Sequence, residues 1–317
     1  MTLFQDGTQL KAIFESPIDP SAEPIANFPL RWYEAFLQKL IGDKIQTITY
    51  QDLFAESDDR EYMSNYSREF RAWNEEVRDP QQRYLLIQHD VDDVPEFTKR
   101  MVAMEAFYGI RSNIFMFRDR FSYDEDNPPY AIDHDFFQEA ERNGFVIGYH
   151  QNAFALADFQ METAIQRYHS DVHYLRQFYK IEFVVPHGGV GAEIDGRLVQ
   201  NPDVPMPSEF EGNLRWVYNR YAVRFTKRWS DGGLRKTRDA RRIKGFDLVG
   251  DFLPKLKPGT RNFCLIHPQR WGYNVDPTQN PMLAEEPWYQ EVCERFQSQA
   301  KPIQDHIVSA PTDTKTV

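Results

Sequence analysis

The chain has 317 residues, of which 41% are hydrophobic and 15% aromatic, so it is long enough for one large barrel-like domain or two ordinary ones. It carries 37 Lys plus Arg against 48 Asp plus Glu, a formal net charge of −11. This charge argues against nucleic acid or an anionic membrane surface as a partner, because both would repel the chain.

Targeting and redox features favour a reducing compartment. No apolar run approaches the ~18 residues of a membrane span. The N-terminal residues contain acids and no apolar stretch typical of a signal peptide. The two cysteines, Cys264 and Cys293, lie in apolar segments, where reduced thiols are common. We therefore expect a cytoplasmic protein with no membrane span.

Residues 1–80 are predicted to form a mainly helical extension. The first 27 residues look like an extended arm. Apolar residues at helical spacing predict an amphipathic helix over 28–44. A short strand over 45–50 and a second helix over 61–77 follow, and Asp79-Pro80 then breaks the chain. This extension offers a surface for contact between subunits of an oligomer.

Residues 81–305 are predicted to form the main domain, in which strands alternate with helices. The predicted strands cover residues 84–88, 112–117, 145–149, 181–185, 218–224, 226–229 and 262–266. The predicted helices cover residues 95–108, 133–143, 158–179, 246–256 and 287–300. Residues 192–212 are predicted to be irregular, and residues 306–317 form a polar tail. Strand–helix order favours a mainly parallel α/β sheet, and this number of strands favours a closed or nearly closed barrel.

Polar clusters follow five of the predicted strands. The carboxyl ends of parallel barrel strands meet at one rim, so we expect the clusters to share one pocket. They are His89-Asp90-Val91-Asp92-Asp93, Gly148-Tyr149-His150-Gln151-Asn152, Pro186-His187-Gly188-Gly189, Ser230-Asp231-Gly232-Gly233 and His267-Pro268-Gln269-Arg270-Trp271. Their common position predicts an active site.

The first cluster carries the strongest chemical signal. Alternate side chains of a strand share a face, so Asp90 and Asp92 are expected to point the same way. Two adjacent carboxylates repel each other, so the pKa of one rises unless a metal ion or another cation lies between them. Either arrangement suits hydrolysis. The alternative interpretation is a solvated turn after a strand.

Together these motifs resemble the polysaccharide deacetylase superfamily, carbohydrate esterase family 4 in the broad sense. The nearest branch is the divergent one that carries His-Asp-Val-Asp. The resemblance extends from about Tyr84 to Trp271 and includes Gly-Ile-Arg-Ser at 109–112 and Leu-Ile-His-Pro at 265–268. It implies a distorted (β/α)7 barrel, a divalent metal, in the first place zinc, and removal of an N- or O-acetyl group from a sugar.

The resemblance assigns roles to the acids of the first cluster. It implies that Asp90 is the general base and Asp92 a metal ligand. Asp93 has two further interpretations, because the motif can also be aligned one residue later and because Asp often caps a following helix. We place Asp93 among the substrate-binding residues.

The metal site that the resemblance implies departs from the family at one position. His150 matches the first histidine ligand, but the usual second histidine, four residues later, is Phe154 here. Three explanations remain: His187 supplies the third ligand from the neighbouring strand, His89 or Asn152 supplies it, or no tight metal is bound. We favour His187 and place Asn152 at the substrate.

The remaining clusters supply an acid and an oxyanion site. The resemblance implies that His267 is the general acid and that Asp231 orients it, although Ser-Asp-Gly-Gly is also a common turn sequence. The backbone N–H groups of Gly188 and Gly189 are expected to face an oxyanion.

Three larger side chains are also predicted to contact the substrate. Trp229 and Trp271 are expected to form walls for a sugar ring, with a role in the core as the alternative. Arg270 is expected to bind an anionic group, with a surface ion pair as the alternative.

Two other functions compete with deacetylation. One is a non-catalytic carbohydrate-binding or assembly protein on the same fold, which Phe154 supports. The other is a metal-free amidohydrolase that acts on a non-sugar C–N bond. For a cytoplasmic deacetylase, the substrate would be a nucleotide-linked or lipid-linked precursor of a surface polysaccharide.

A second histidine pair, His169 and His173, has the i, i+4 spacing that can bind a metal on a helix. Its charged and aromatic neighbours favour a solvated or packed helix face instead.

Overall fold

The computed structural model describes residues 3–15, 28–55, 79–119, 130–188, 191–217, 225–232 and 248–272. Several sequence predictions lie outside these residues. They are the helices over 61–77 and 287–300, the strand over 218–224, the tail over 306–317, Cys293 and Gly189. The α-helices are α1 (Gly7–Glu15), α2 (Leu30–Gly42), α3 (Tyr50–Ala55), α4 (Pro95–Phe107), α5 (His134–Arg142), α6 (Ala153–Leu156) and α7 (Met161–Leu175).

Twelve strands occur among the described residues. They are β1 (Phe28–Pro29), β2 (Gln46–Ile48), β3 (Arg83–Val91), β4 (Asn113–Met116), β5 (Val146–Gln151), β6 (Phe183–Pro186), β7 (Gly191–Ile194), β8 (Arg197–Gln200), β9 (Arg215–Trp216), β10 (Lys227–Ser230), β11 (Thr260–Ile266) and β12 (Trp271–Gly272). Short 3-10 helices cover Leu3–Gln5, Asn201–Asp203, Ser208–Phe210, Leu253–Lys255 and Pro268–Arg270.

Seven parallel strands form a sheet that curls into a half-barrel, in the order β10-β11-β3-β4-β5-β6-β9. The mixed α/β class and the mainly parallel sheet are therefore confirmed. Among the described strands, β10 and β9 are the two ends of this order, and β2, which pairs only with β3, is an eighth strand of the sheet. The central strands β3, β4 and β5 are buried on both faces, which explains why they read as continuous apolar runs.

The N-terminal segment joins this sheet directly. Strand β2 pairs with the first half of β3, and β4 pairs with the second half of the same strand. Asn113 connects the two: its Oδ1 accepts from the Tyr50 N–H at 2.7 Å, and its Nδ2 donates to the Ile87 carbonyl at 2.8 Å. Residues 28–55 therefore share one hydrophobic core with the sheet.

The predicted helix over 158–179 is wrong at its start. Helix α7 follows a separate short helix, α6, and it also ends at Leu175, four residues before the predicted end. Between them, Asp158 and Phe159 have φ values of 48° and 60°. A right-handed helix cannot continue through left-handed residues, so α7 begins only at Met161.

Other segments also differ from the prediction. Within the first 27 residues, predicted to be an extended arm, Gly7–Glu15 form helix α1, which buries Leu10 and Phe14. Within the supposedly irregular segment 192–212, β7 and β8 form an antiparallel hairpin. Its turn contains Asp195 (φ 52°) and Gly196 (φ 72°), the two positive values that a tight hairpin turn needs. The predicted helix over 246–256 is instead a π-helical turn, Leu248–Phe252, followed by a 3-10 turn.

None of the helices in the described part of the chain has the length and apolar character needed to cross a bilayer.

A buried polar cluster lies between α4 and the sheet. The Glu105 carboxylate receives three hydrogen bonds: from His89 Nε2 at 2.8 Å, from Ser112 Oγ at 2.6 Å and from the Tyr33 hydroxyl. All four residues are fully buried. A buried carboxylate is stable only when such donors replace water. The cluster therefore fixes α2 and α4 against β3.

Replacing this carboxylate tests its structural role. We expect Glu105→Ala to lower the free energy of unfolding by about 3–5 kcal/mol, because it leaves three buried donors without their acceptor. Glu96→Ala in the first turn of the same helix, where the side chain is 53% exposed, is the matched control and should cost no more than about 1 kcal/mol. Urea denaturation measures both. Equal losses in the two variants would contradict the structural role.

Candidate metal and acid–base site

The carboxylate of Asp92 lies among three imidazoles at the carboxyl ends of the sheet strands. Its Oδ1 is 3.0 Å from His150 Nε2 and 3.8 Å from His187 Nε2. Its Oδ2 is 3.7 Å from His267 Nε2 and accepts from Gln269 Nε2 at 3.3 Å. The loops after β3, β5, β6 and β11 therefore converge on one carboxyl group, as expected for this end of a parallel sheet.

Asp92, His150 and His187 could together hold a metal ion. Their ligand atoms lie within 4.8 Å of one another. The Nδ1–H of His150 donates to the Val185 carbonyl at 3.2 Å, and the Nδ1–H of His187 donates to Asn152 Oδ1 at 3.3 Å. Oxygen acceptors at both Nδ1 atoms turn the Nε2 side of each ring toward Asp92, which is how second-shell groups orient histidine ligands. In this structure the Nε2–H of His150 donates to Asp92 Oδ1 at 3.0 Å, and a metal would take the place of that proton. The donor set of two nitrogens and one oxygen suits zinc.

Asn201 supports this histidine pair and was missed by the sequence analysis. Its Nδ2 donates to Asn152 Oδ1 at 2.9 Å and to the His187 carbonyl at 3.1 Å. Its Oδ1 accepts from the N–H of Phe154 at 3.0 Å. Asn201 lies nearly fifty residues from Asn152 along the chain, in a segment predicted to be irregular, so no local pattern could reveal it.

Phe117 packs against both imidazoles. Its ring is stacked on His150, with centroids 4.9 Å apart, and meets His187 edge-on at 5.4 Å. Both rings are thereby fixed in orientation. Phe154, four residues after His150, is fully buried beside Phe159 and lies in the core.

Burial and neighbouring charges shift the pKa values of Asp92, His150 and His187 in different directions. Burial opposes the charged form of Asp92, but the hydrogen bond from His150 and the neighbouring imidazolium charges outweigh it and lower its pKa. Burial likewise opposes the charged form of His150, but Asp90 and Asp92 raise its pKa above the usual value. Burial lowers the pKa of His187 to about 4 despite the charge of Asp92, so this imidazole is neutral at pH 7, as a metal ligand must be.

Asp90 lies on the same side of β3 as Asp92. Its Oδ2 is 3.9 Å from His150 Nε2, and its Oδ1 accepts from Gln88 Nε2 at 2.7 Å. Gln88 in turn accepts from the Tyr50 hydroxyl at 2.8 Å. Burial raises the pKa of Asp90, and the positive charges of the nearby imidazoles oppose this rise. Gln88 was missed, although its position two residues before Asp90 already puts it on the same strand face.

His89 is not a metal ligand in this arrangement. It alternates with Asp90 along β3 and so faces the opposite side of the sheet, where its Nε2 contacts Glu105. Of the three residues considered as the third ligand, His187 is the one that lies beside Asp92. Asn152 instead contacts the Nδ1 side of His187.

A second pair of groups, His267 and Asp231, forms a hydrogen-bonded acid–base dyad. Asp231 is fully buried; its Oδ1 contacts His267 Nδ1 at 2.5 Å, and its Oδ2 accepts from the His267 backbone N–H at 2.8 Å. Burial opposes protonation of His267, but the charge of Asp231 and this hydrogen bond raise its pKa to about 9. Burial also opposes the charge of Asp231, yet the positive charge of His267 lowers its pKa.

Arg270 and Trp271, predicted to contact substrate, both contact Asp231. Arg270 Nη1 lies 3.4 Å from Asp231 Oδ1, and Trp271 Nε1 donates to Oδ2 at 2.9 Å. Trp271 and Trp229 are buried, with exposed fractions of 2% and 6%. These contacts place Arg270 and Trp271 around the dyad, and both indoles in the core.

The other predicted residues lie at the rim of the cluster. Asp93 is half-buried, and the N-cap residue of α4 is Val94 instead. A Cβ at Gly188 would meet no atom within 4 Å, so the space beside this backbone is open. Gly148, two residues before His150, is required by packing, since a Cβ there would lie 2.3 Å from the Phe115 ring.

Comparison of the chain with protein-family models, with curated proteins and with solved structures found no match. The site must therefore be interpreted from its own geometry and from the motifs of the sequence. The site has two parts. In the first, the Asp92 carboxylate lies beside the imidazoles of His150 and His187. In the second, the buried Asp231 favours the protonated form of His267.

The charge of Asp231 can be tested through the ionisation of His267. In Asp231→Asn, we expect the His267 pKa to fall by more than a unit from about 9, because the carboxylate no longer opposes burial. NMR titration of the imidazole protons in chelator-treated protein measures this shift. His134 on α5 is the internal control and should titrate unchanged. An unaltered pKa of His267 would contradict the dyad.

The same pair sets the sign of a pH effect on stability. The folded pKa of His267, about 9, lies above its usual value of 6.5. The stability that the pair contributes is therefore fully present below pH 6.5 and is lost as pH rises through about 9. We expect the difference in urea midpoint between wild type and Asp231→Asn to shrink across that interval. A difference that grows instead would show that the sign is wrong.

Proposed function

We propose that this chain is a metal-dependent hydrolase that removes an acetyl group from an N- or O-acetylated sugar. The observation that carries the proposal is the position of Asp92. It lies beside two histidines whose Nε2 atoms face it and within 4 Å of the His267 imidazole. Asp90, two residues earlier on the same side of β3, approaches His150 to 3.9 Å. An ion site is thus flanked by a candidate base and a candidate acid.

The residues present fit a divalent metal. Asp92, His150 and His187 would hold it, in agreement with the preference of zinc for nitrogen and oxygen donors. Such an ion supplies a Lewis acid that polarises an acyl carbonyl. Its positive charge would also oppose the effect of burial on Asp90 and favour the carboxylate form that a base requires.

Proton transfer falls to the two flanking groups. Asp90 accepts the proton of the attacking water. His267 has its Nδ1 held by Asp231, so its Nε2–H faces the cluster and donates to the departing amine or alkoxide. Asp231 is a positioning residue, because it acts through His267. Backbone N–H groups near Gly188 provide a site for the oxyanion.

Two parts of the proposal, the sugar substrate and the type of barrel, rest on the sequence motifs. The resemblance to polysaccharide deacetylases supports an acetylated sugar as substrate and a distorted (β/α)7 barrel as the fold. The half-barrel of seven parallel strands, with the polar clusters at its carboxyl edge, supports that assignment. The function therefore depends on both the motif order and the site geometry.

Acetate release is the direct test. We expect hydrolysis of a panel of N-acetyl and O-acetyl sugars, free and nucleotide-linked, to stop on chelation and to return with zinc. His267→Gln should lower kcat/KM by about 10²–10⁴, the usual contribution of a general acid. His134→Gln, a histidine on α5 that packs on Phe178 outside the cluster, is the matched control and should retain activity.

The competing functions give different outcomes. Hydrolysis of a non-sugar amide that survives chelation would favour the metal-free amidohydrolase. Sugar binding without acetate release, in protein that binds no zinc, would favour the non-catalytic carbohydrate-binding protein. Asp92→Asn should lose both zinc affinity and acetate release, because the same oxygen contacts two of the proposed ligands.

A further inference from the structure

We propose a second divalent-metal site on the surface of the molecule, formed by His169, His173 and Glu209. The two histidines are one turn apart on α7. Glu209 comes from the 3-10 helix at Ser208–Phe210, about forty residues further along the chain. His169 Nε2 is 2.7 Å from Glu209 Oε2, and His173 Nε2 is 2.5 Å from Glu209 Oε1.

On a merely solvated helix face, the two histidines would point into water, whereas here both contact a carboxylate from another segment of the chain. Both Nε2 atoms face one carboxylate, and the ligand atoms of the three residues lie within 4.8 Å of one another. Exposed ion pairs alone contribute little stability. Two imidazole nitrogens and a carboxylate oxygen are, by contrast, a common donor set for zinc, with a fourth position for water or another ligand. Imidazole donors favour zinc and its transition-metal neighbours over magnesium or calcium.

Packing beneath the cluster holds the ligands in place. The buried ring of Phe210 lies 5.6 Å from the His169 ring and 5.4 Å from the His173 ring. The Arg176 guanidinium lies over Phe210 at 5.1 Å and donates to Asn213 Oδ1 at 2.7 Å, and Asn213 Nδ2 donates to the Glu209 carbonyl at 3.0 Å. The backbone on both sides of the site is therefore fixed without a metal, which reduces the entropic cost of binding.

The side chains themselves can adjust to an ion. Their exposed fractions are 44% for His169, 54% for His173 and 44% for Glu209. Ligand atoms about 2.0–2.2 Å from a tetrahedral ion must lie further apart than the present nitrogen–oxygen distances. Exposed side chains can make that small separation, and their exposure leaves solvent access for the ion and for water ligands.

A metal here would connect two parts of the half-barrel edge. Helix α7 leads into β6, the strand that precedes His187. Glu209 belongs to the segment that starts with Asn201 and ends in β9, the neighbour of β6. The ion would therefore clamp the segment whose Asn201 hydrogen-bonds Asn152 and His187. It would stabilise the folded state in proportion to its occupancy.

Zinc titration of chelator-stripped, full-length protein tests the site. In the background Asp92→Asn/His150→Gln, which disables the first site, we expect one zinc per chain and a zinc-dependent rise in Tm. Adding His173→Gln should weaken zinc binding at least tenfold and abolish the rise in Tm. Adding His134→Gln instead is the matched control and should change neither. Zinc affinity and Tm that do not respond to His173→Gln would overturn the proposal.

A second variant covers the case in which the double background does not fold. In the otherwise wild-type chain, His169→Gln/His173→Gln should remove one equivalent of bound zinc, measured by competition with a chromogenic chelator. An unchanged number of zinc ions would overturn the proposal. The two metal proposals fail separately: without metal at Asp92, wild type binds one zinc and this variant none, whereas without the surface site both bind one.

Discussion

The negative charge of Asp92 is the interaction on which the site depends. This carboxylate is the only group near all three imidazoles among the described residues, and it approaches His150, His187 and His267 from its two oxygens. Without it, the charged forms of His150 and His267 would lose a nearby negative charge that favours them. Its position follows from β3, which remains extended through Val91 and delivers Asp90 and Asp92 to the same side of the sheet.

The N-terminal segment supports the acid side of the site although it lies outside the motif resemblance. Phe28 pairs in register with Trp271, and the Trp271 ring packs 4.9 Å from Phe28 and 5.8 Å from Tyr33. Trp271 Nε1 then donates to Asp231, which holds His267. The two polar networks on opposite faces of β3 are thus connected through α2, because Tyr33 also donates to Glu105. Packing of an early helix therefore reaches the imidazole that we assign as proton donor.

The sequence predicted those parts of the fold whose signals are local. Strands β3, β4, β5, β6 and β11 were found because each contains a short apolar run, and α2, α4 and α5 because their periodicity and terminal residues agree. The hairpin at Asp195-Gly196 was missed although Asp-Gly is itself a turn signal. The short helix α6 was missed, and α7 was placed three residues too early, because the left-handed conformations of Asp158 and Phe159 leave no mark in the apolar periodicity. Partners such as Asn201 and Gln269 depend on tertiary packing and leave no local pattern.

The register of two neighbouring strands explains how His187 comes to lie beside His150. In the pairing of β5 with β6, His150 lies opposite Val185, and His187 is two residues beyond Val185. Two residues along a strand restore the same face, so His187 lies on the side of the sheet that His150 occupies. Phe154 lies in the core. Its backbone N–H donates to Asn201 Oδ1, and Asn201 Nδ2 donates to the His187 carbonyl. The nitrogen donor beside His150 therefore comes from the adjacent strand, and the same asparagine holds the backbone of both Phe154 and His187.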